Sequence, residues 1–365
     1  MNNILENKLN LFIKKKKFKN ILVITGKKSF NFSGFKKLAI YKNFKSIMTI
    51  LYKKNDVPEI NELKFLIKKI NIINPDLVIA LGGGSVLDYA KLVNGLYNIK
   101  NLKKKIKSGF IKPNSKKATI LAIPTTAGSG AEVTKFSVIY IDKIKYSVEH
   151  NLLKPDYYSL IPKLVINSPK IIKSSSGFDS IAQAIESIFS KKANIHSLKY
   201  SSNSLRCSIK NFLEFVNNSN LNNAAEMLKA ANLSGKAINI AKTNAPHALS
   251  YIFTSKFKIP HGIAVSIFFI EIINLYYTTA IKQNNVNLIK KFNLLFRLIK
   301  QHNMPGFNNL FNNFFIESGI KKYLNEPLKK LKNKKNLYYN LDRLQNSPIK
   351  ILKKHISIFN LNKFK

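Results

Sequence analysis

The chain has 365 residues, 45% of them hydrophobic and 11% aromatic, which is enough to bury a core and excludes a disordered polymer or one small module. At roughly 100–200 residues per domain, this length predicts two packed units. Lysine and arginine number 61 against 18 acidic residues, a formal net charge of +43, which taken alone would favour a nucleic-acid or acidic-membrane partner. The make-up of the charge argues otherwise. The only arginines are Arg206, Arg297 and Arg343, while lysine runs from end to end, and phosphate and base-edge reading favours arginine's rigid fork. The lysine clusters at 14–17, 103–105 and 329–335 are therefore read as solvated positions that hold polyanions weakly, and no specific nucleic-acid partner is expected.

Cys207 stands alone, so no intrachain disulfide or CxxC zinc knuckle can form, and a reducing interior is the natural setting. The longest apolar stretch, 263–277, is broken by Glu271 and falls short of the roughly 20 residues that span a bilayer. The first 20 residues lack an apolar core followed by a small-residue cleavage site. The expectation is a soluble, cytoplasmic protein with no membrane partner.

In chain order, the first half alternates short apolar runs with helical patterns, the mark of a parallel sheet covered by helices. Residues 21–25 form one buried run. Ile60, Leu63, Ile67 and Ile70 recur at helical spacing, and Asn74-Pro75 stops that helix before a second run at 77–81. A third run is 119–123; segments 136–141 and 145–148 read as a hairpin, and 164–167 reads as a last strand. From about Ile171 onward the apolar spacing is mostly helical, with helices predicted over 178–189, 224–241, 262–275 and 285–298. The fold class is thus an α/β N-terminal domain, 1–169, followed by an all-α domain, 170–365. A site in such a protein is expected in the cleft between them, at the C-terminal strand ends.

Two turns carry chemistry in the first half. The segment 82–91, GGGSVLDYAK, directly follows a predicted strand and opens a helix. Its glycines let backbone N–H groups approach a pyrophosphate at a helix N-terminus; equally, they fit a tight turn that needs φ > 0. The segment 124–134, PTTAGSGAEVT, again follows a strand and offers hydroxyls and amides. In the helical half, Asp179, Gln183 and Glu186 project on one side at i, i+4 and i+7, and His247 and Tyr251 repeat the i, i+4 spacing. His261 follows His247 by 14 residues, in Pro260-His261-Gly262. One carboxylate, one amide oxygen and two imidazoles form a donor set for a divalent ion of the Zn or Fe(II) type; a satisfied core histidine is the alternative for either imidazole. Glu186 reads as a supporting group rather than a ligand, and His150, His196, His302 and His355 as structural or solvated.

Taken in order, GGGSxxDxAK, PTTAGSGAEVT, GFDSIAQAIES, HALSY, PHG and a closing RLQNSP at 343–348 make the chain resemble the iron-containing (group III) alcohol dehydrogenases, relatives of dehydroquinate synthase and glycerol dehydrogenase. The likeness runs from residue 20 onward. It implies a dehydroquinate synthase-like fold, a dinucleotide-binding domain followed by a helical metal domain, with hydride passing between a nicotinamide and a carbonyl or alcohol in the cleft. It also implies that Gly83, Gly84 and Ser85 hold the pyrophosphate while Asp88 and Lys91 brace the start of that helix. Thr125, Thr126 and Ser129 would line the nicotinamide side. Lys145, 34 residues before Asp179, sits where such enzymes place a lysine on the cofactor ribose. The metal ligands implied are Asp179, His247 and His261. Dimers are common among such relatives.

Two positions depart from that pattern. Gln183 stands where most members carry a histidine, and as an amide-oxygen ligand it is weaker and harder than imidazole, which puts metal identity, Fe2+ or Zn2+, and metal retention in question. Tyr251 stands where most carry the second histidine of HxxxH, and its phenol can relay a proton. These departures, with RLQNSP, are similar to a branch associated with phosphonoacetaldehyde reductases, which form 2-hydroxyethylphosphonate. The turn Thr25-Gly26-Lys27-Lys28-Ser29 lacks the aspartate that NAD-preferring members place at the adenosine ribose; Gly26 leaves room and Ser29, Lys27 or Lys28 can meet a 2′-phosphate, so NADP(H) is expected, with NAD the alternative. Three competing readings are a cyclase of the dehydroquinate-synthase type, which the scarcity of arginine opposes, a non-catalytic member that has lost metal, and a nucleic-acid binder favoured by net charge alone.

Overall fold

The computed structural model describes residues 2–329 and 341–352; His355 and most of the 329–335 lysine run lie outside them. The chain divides into two compact units, Met1–Ser168 and Pro169–Lys365.

The first unit holds strands β1 (Asn2–Asn3), β2 (Ile21–Gly26), β3 (Met48–Lys53), β4 (Leu77–Gly82), β5 (Thr119–Pro124), β6 (Phe136–Ile141), β7 (Ile144–Glu149) and β8 (Tyr157–Tyr158). Its helices are α1 (Leu9–Lys16), α2 (Lys27–Phe32), α3 (Ala39–Phe44), α4 (Ile60–Ile73), α5 (Gly84–Gly95) and α6 (Leu102–Ser108). Six strands form a parallel sheet in the order β1-β8-β5-β4-β2-β3, and β6 and β7 pair as a separate antiparallel hairpin. The period-2 alternation of strand side chains splits the apolar runs between two cores. Leu22, Ile24, Val78, Ala80, Ile120 and Ala122 pack with α4 and α5 on one face. Ile21, Val23, Leu77, Ile79, Leu121 and Ile123 pack with α1, Phe30 and Phe35 on the other. α4 ends where Asn74 turns left-handed, φ 48°, ahead of Pro75.

The expected strand at 164–167 is not a strand. Pro162 opens a short 3-10 turn, Pro162–Leu164, because its fixed φ suits the first helical position and its missing N–H cannot join a ladder. The sheet is completed by β8, whose Tyr157 pairs with Leu121 of β5. β3 escapes the apolar-run reading because it lies at the sheet edge with its side chains only partly buried.

The second unit, among the described residues, is helical: α7 (Lys170–Phe189), α8 (Ile195–Asn217), α9 (Leu221–Ala241), α10 (Ala245–Phe257), α11 (His261–Lys282), α12 (Val286–Ile299), α13 (Met304–Glu317), α14 (Ile320–Lys329) and α15 (Leu341–Gln345). Asn194 and Asn220 start α8 and α9 with reciprocal capping boxes. α7 begins eight residues before the predicted start at Phe178, since its first two turns are mostly polar. α11 spans 22 residues and is long and apolar enough by composition to cross a membrane, with 61% of its apolar window buried. Glu271 therefore does not break the helix. Its inward face, including Ile263, Phe269, Ile272 and Tyr276, is core.

Candidate active site

In the first unit, β4 delivers the glycine turn to the N-terminus of α5. None of Gly82, Gly83 and Gly84 has positive φ among the glycines that do, so handedness does not explain them. Space does. A Cβ on Gly82 would stand 2.6 Å from the Val86 side chain, one on Gly84 2.9 Å from Ser129 Oγ, and one on Gly83 3.3 Å from Thr126 Oγ1. The turn is thus pressed against the loop after β5, and Thr125 N donates to Gly82 O at 3.0 Å. Ser85, Thr126 and Ser129 remain half-buried beside it. Backbone close enough to be closed by one methyl group is the shape that admits a phosphate.

Asp88 and Lys91 do not brace the start of α5. Lys91, fully buried, donates from Nζ to Ala131 O at 3.1 Å, Thr134 Oγ1 at 3.0 Å and Phe136 O at 2.6 Å, and Asp88 accepts from Val138 N at 3.2 Å. They tie α5 to the segment after β5 and to β6, away from the helix N-terminus. Burial pushes the Asp88 carboxyl up, while Lys91, the Val138 N–H and Lys145 hold it back. Lys145 thereby lies within electrostatic reach of Asp88, on β7 opposite Tyr140.

At the end of β2, Gly26 pairs in register with Lys53 of β3. A Cβ on Gly26 would lie 3.5 Å from Ser29 Oγ and 3.7 Å from Lys53 Cε. Lys27 and Lys28 are exposed, whereas Lys53 is half-buried, donating to Asn55 O at 2.6 Å and Asp56 O at 3.3 Å. Sequence reasoning missed Lys53 because the signal, parallel pairing of β3 with β2, required β3 to be recognised first.

In the second unit, Asp179 of α7, His247 of α10 and His261 at the start of α11 offer ligand atoms that all lie within 4.8 Å of one another. His247 Nε2 is 3.1 Å from Asp179 Oδ1, and the two imidazoles meet edge to face with centroids 5.3 Å apart. Behind His247, Glu186 Oε1 takes the Nδ1 side of the ring in a very short contact, and Glu186 Oε2 accepts from Asn244 N at 2.7 Å. That carboxylate holds the Nδ1 edge of the ring and leaves Nε2 toward Asp179. Burial pushes the His247 imidazole down, but Glu186 and Asp179 outweigh it and raise the pKa to about 9. His261 Nδ1 faces Thr254 Oγ1 at 3.4 Å, and Tyr251 stacks on the His261 ring at 6.1 Å. Arg343 donates to Thr243 Oγ1 at 3.1 Å, next to the N-terminal end of α10. Burial raises the Tyr251 phenol's pKa, and the Arg343 charge pulls it back.

Gln183 is buried beside Asp179, but its amide nitrogen donates to Asp179 Oδ2 at 3.0 Å and its oxygen meets Ser234 Oγ at 3.1 Å. The structure does not bring that oxygen to the cluster. Two imidazoles and one carboxylate, convergent, with Asp179 and His247 buried and His261 half-buried, are the donor set of a divalent transition ion, and His247 with its Glu186 support fits the same group. Gly262, the glycine of the PHG motif, has a steric role that the sequence did not reveal: a Cβ there would fall 1.9 Å from Ser175 O.

The profile of the iron-containing alcohol dehydrogenases matches residues 5–162, and that of the Fe-containing alcohol dehydrogenase family's C-terminal domain matches residues 173–326. This chain belongs to the iron-containing alcohol dehydrogenase family. Within it, the chain is 29% identical over 251 residues to 4-hydroxybutyrate dehydrogenase of Clostridium kluyveri, a stretch covering 67% of this chain and 66% of that protein. It is 31% identical over 220 residues to 1-propanol dehydrogenase of Citrobacter freundii, covering 60% and 56%. The matched stretches thus span less than two thirds of these curated relatives. In fold, this iron-containing dehydrogenase chain superposes on the sulfoacetaldehyde reductase of Bifidobacterium kashiwanohense, solved with NAD+, with a TM-score of 0.82, 21% identity and coverage of 98% and 96% of the two chains.

Proposed function

We propose that the protein is a metal-dependent aldehyde reductase, transferring hydride from NADPH to a small aldehyde with an anionic tail, with phosphonoacetaldehyde, reduced to 2-hydroxyethylphosphonate, as the substrate. The observation that carries this reading is the convergence of Asp179, His247 and His261, three residues remote in sequence, with ligand atoms within 4.8 Å. A divalent ion, Fe2+ or Zn2+, supplies a Lewis acid for the carbonyl oxygen there, and the nicotinamide supplies the hydride.

The chain's own residues do the rest. Glu186 keeps His247 Nε2 directed at the cluster. Tyr251, its pKa raised by burial, holds its proton at neutral pH and gives it from Oη to the product oxygen. On the cofactor, backbone amides of Gly83, Gly84 and Ser85 take the pyrophosphate, Thr125, Thr126 and Ser129 line the nicotinamide side, and Lys145 reaches the ribose. Gly26 leaves room for a 2′-phosphate, Ser29 donates to it and Lys53 neutralises it, which favours NADPH over NADH.

The anionic tail has two supports. Arg343 places a guanidinium in electrostatic range of Tyr251, where a phosphonate can pair with it. Two of the similar proteins, 4-hydroxybutyrate dehydrogenase and sulfoacetaldehyde reductase, are named for compounds with an anionic end. The test is NADPH oxidation by metal-loaded protein against phosphonoacetaldehyde, simple alkanals and sugar-derived aldehydes. Turnover of phosphonoacetaldehyde at the highest kcat/KM is expected; activity confined to uncharged alkanals would remove the phosphonate reading and leave the reductase reading standing.

A further inference from the structure

We infer that Gln183 is not a metal ligand but the positioning residue for Asp179, so that the cation site of this chain is built from three side chains, Asp179, His247 and His261. The inference rests on the cation reading of that cluster and goes beyond it.

The argument begins with what each group can do. A carboxylate accepts hydrogen bonds and cannot donate them, so the group of Gln183 that faces Asp179 Oδ2 at 3.0 Å must be the NH2. The amide is planar, and its oxygen therefore points the other way, to Ser234 Oγ at 3.1 Å on α9. Ligation through Oε1 would need the amide to turn over, which sets its oxygen against Asp179 and its NH2 against Ser234. Ser234 Oγ, which also meets Ala231 O at 3.0 Å, can accept from a turned NH2, but the amide oxygen would then face the Asp179 carboxylate, and because Gln183 and Asp179 are both buried water does not relieve that pairing.

The helix supplies the register. Asp179 and Gln183 are one turn apart on α7, where i, i+4 side chains meet without strain. With Oδ2 held by the amide, Oδ1 is the oxygen left beside His247 Nε2, at 3.1 Å. The carboxylate therefore presents one chosen oxygen to the cluster. His247 is oriented in the same way by Glu186, so two of the three ligands carry a dedicated supporting side chain from α7. Three protein ligands suffice for a catalytic divalent ion and leave its remaining positions for substrate and water.

The test uses Co2+ as a spectroscopic probe on the full chain, with affinity read by titration and coordination read from the visible absorption bands. Wild type should bind Co2+. Gln183→Leu, close in volume and apolar, should bind it about ten- to a hundredfold more weakly, the range for lost supporting contacts, while the band positions and intensities at saturation match wild type. Ser234→Ala, which removes the hydroxyl that meets the amide oxygen and Ala231 O, should weaken binding in the same direction by less. Altered bands in Gln183→Leu would make Gln183 a ligand and overturn the inference, as would affinity equal to wild type. Failure of wild type itself to bind Co2+ would overturn the cation reading instead, a separate outcome.

Discussion

The carbonyl oxygen of Ser175 occupies the space that a side chain on Gly262 would need, since a Cβ there would stand only 1.9 Å away. The contact is backbone against backbone, and Gly262 N also donates to Ser175 Oγ at 3.1 Å, so α7 and α11 are in close contact beside His261. The glycine after the histidine therefore sets how near that imidazole comes to Asp179. Gly262→Ala should force the helices apart, destabilise the protein by about 1–3 kcal/mol in urea unfolding, and weaken Zn2+ binding. Wild-type affinity in that variant would show that the approach of the helices does not position His261.

His261 itself sits at the first position of α11 and is only half-buried, so removing its ring should cost little structure. His261→Ala should lower kcat/KM by about a hundredfold or more while the unfolding midpoint of the metal-free protein stays near wild type. Unchanged turnover would remove His261 from the site.

Glu186 is fully buried and holds His247 through the ring Nδ1 and, at 3.5 Å, the backbone N–H. Glu186→Gln keeps the size but loses the charge that opposes the other carboxylate across the imidazole. Metal affinity, measured by competition with a chelator, is expected to fall about tenfold or more; an unaltered value would reduce Glu186 to a packing role.

Much of this site is legible in the sequence, and the part that is not has a common cause. Asp179, Gln183 and Glu186 share a helix, so their common face follows from a 3.6-residue period, and the glycine turn announces itself by following an apolar run. What the period cannot convey is which remote segment lies opposite. The role of Gly262 depends on Ser175, 87 residues away, and the partners of Lys91 lie 40 to 45 residues on. Lys53 depends on the pairing of an edge strand whose alternation is too weak to read. The direction of the Gln183 amide depends on Ser234, in a helix recognised from its apolar spacing but not from its neighbours. Periodicity yields elements and faces; contacts between elements require the fold.

The turn after β2 gives a test of the 2′-phosphate reading. Gly26→Asp places a carboxylate beside Ser29 and Lys53, in the space where a Cβ meets only ordinary van der Waals neighbours at 3.5 and 3.7 Å. It should accept hydrogen bonds from a free 2′-OH and repel a 2′-phosphate. The ratio of kcat/KM for NADPH over NADH should fall by roughly ten- to a hundredfold, the scale of one charged hydrogen bond. Lys53→Ala should lower the same ratio by raising KM for NADPH alone. A wild-type enzyme that already prefers NADH would defeat the NADP(H) assignment.

Lys91 supplies a pH dependence that reports on the contacts holding α5 to residues 131–136. Burial pulls its ammonium down to about 8, against the raising influence of Asp88 and Glu132, and its three acceptors lie between Ala131 and Phe136. An unfolded lysine titrates at 10.5. Between those values the unfolded chain holds a proton that the folded chain has released, so this residue makes stability rise with pH across the window, and its full cost is present below pH 8. At 1.36 kcal/mol per pH unit the change amounts to roughly 3 kcal/mol. The comparison is with Lys91→Met, which cannot titrate. From pH 8 to 10.5, the unfolding free energy of wild type should gain on that of Lys91→Met by about this amount. A difference that stays flat would mean that Lys91 keeps its proton throughout, with its three hydrogen bonds outweighing the burial.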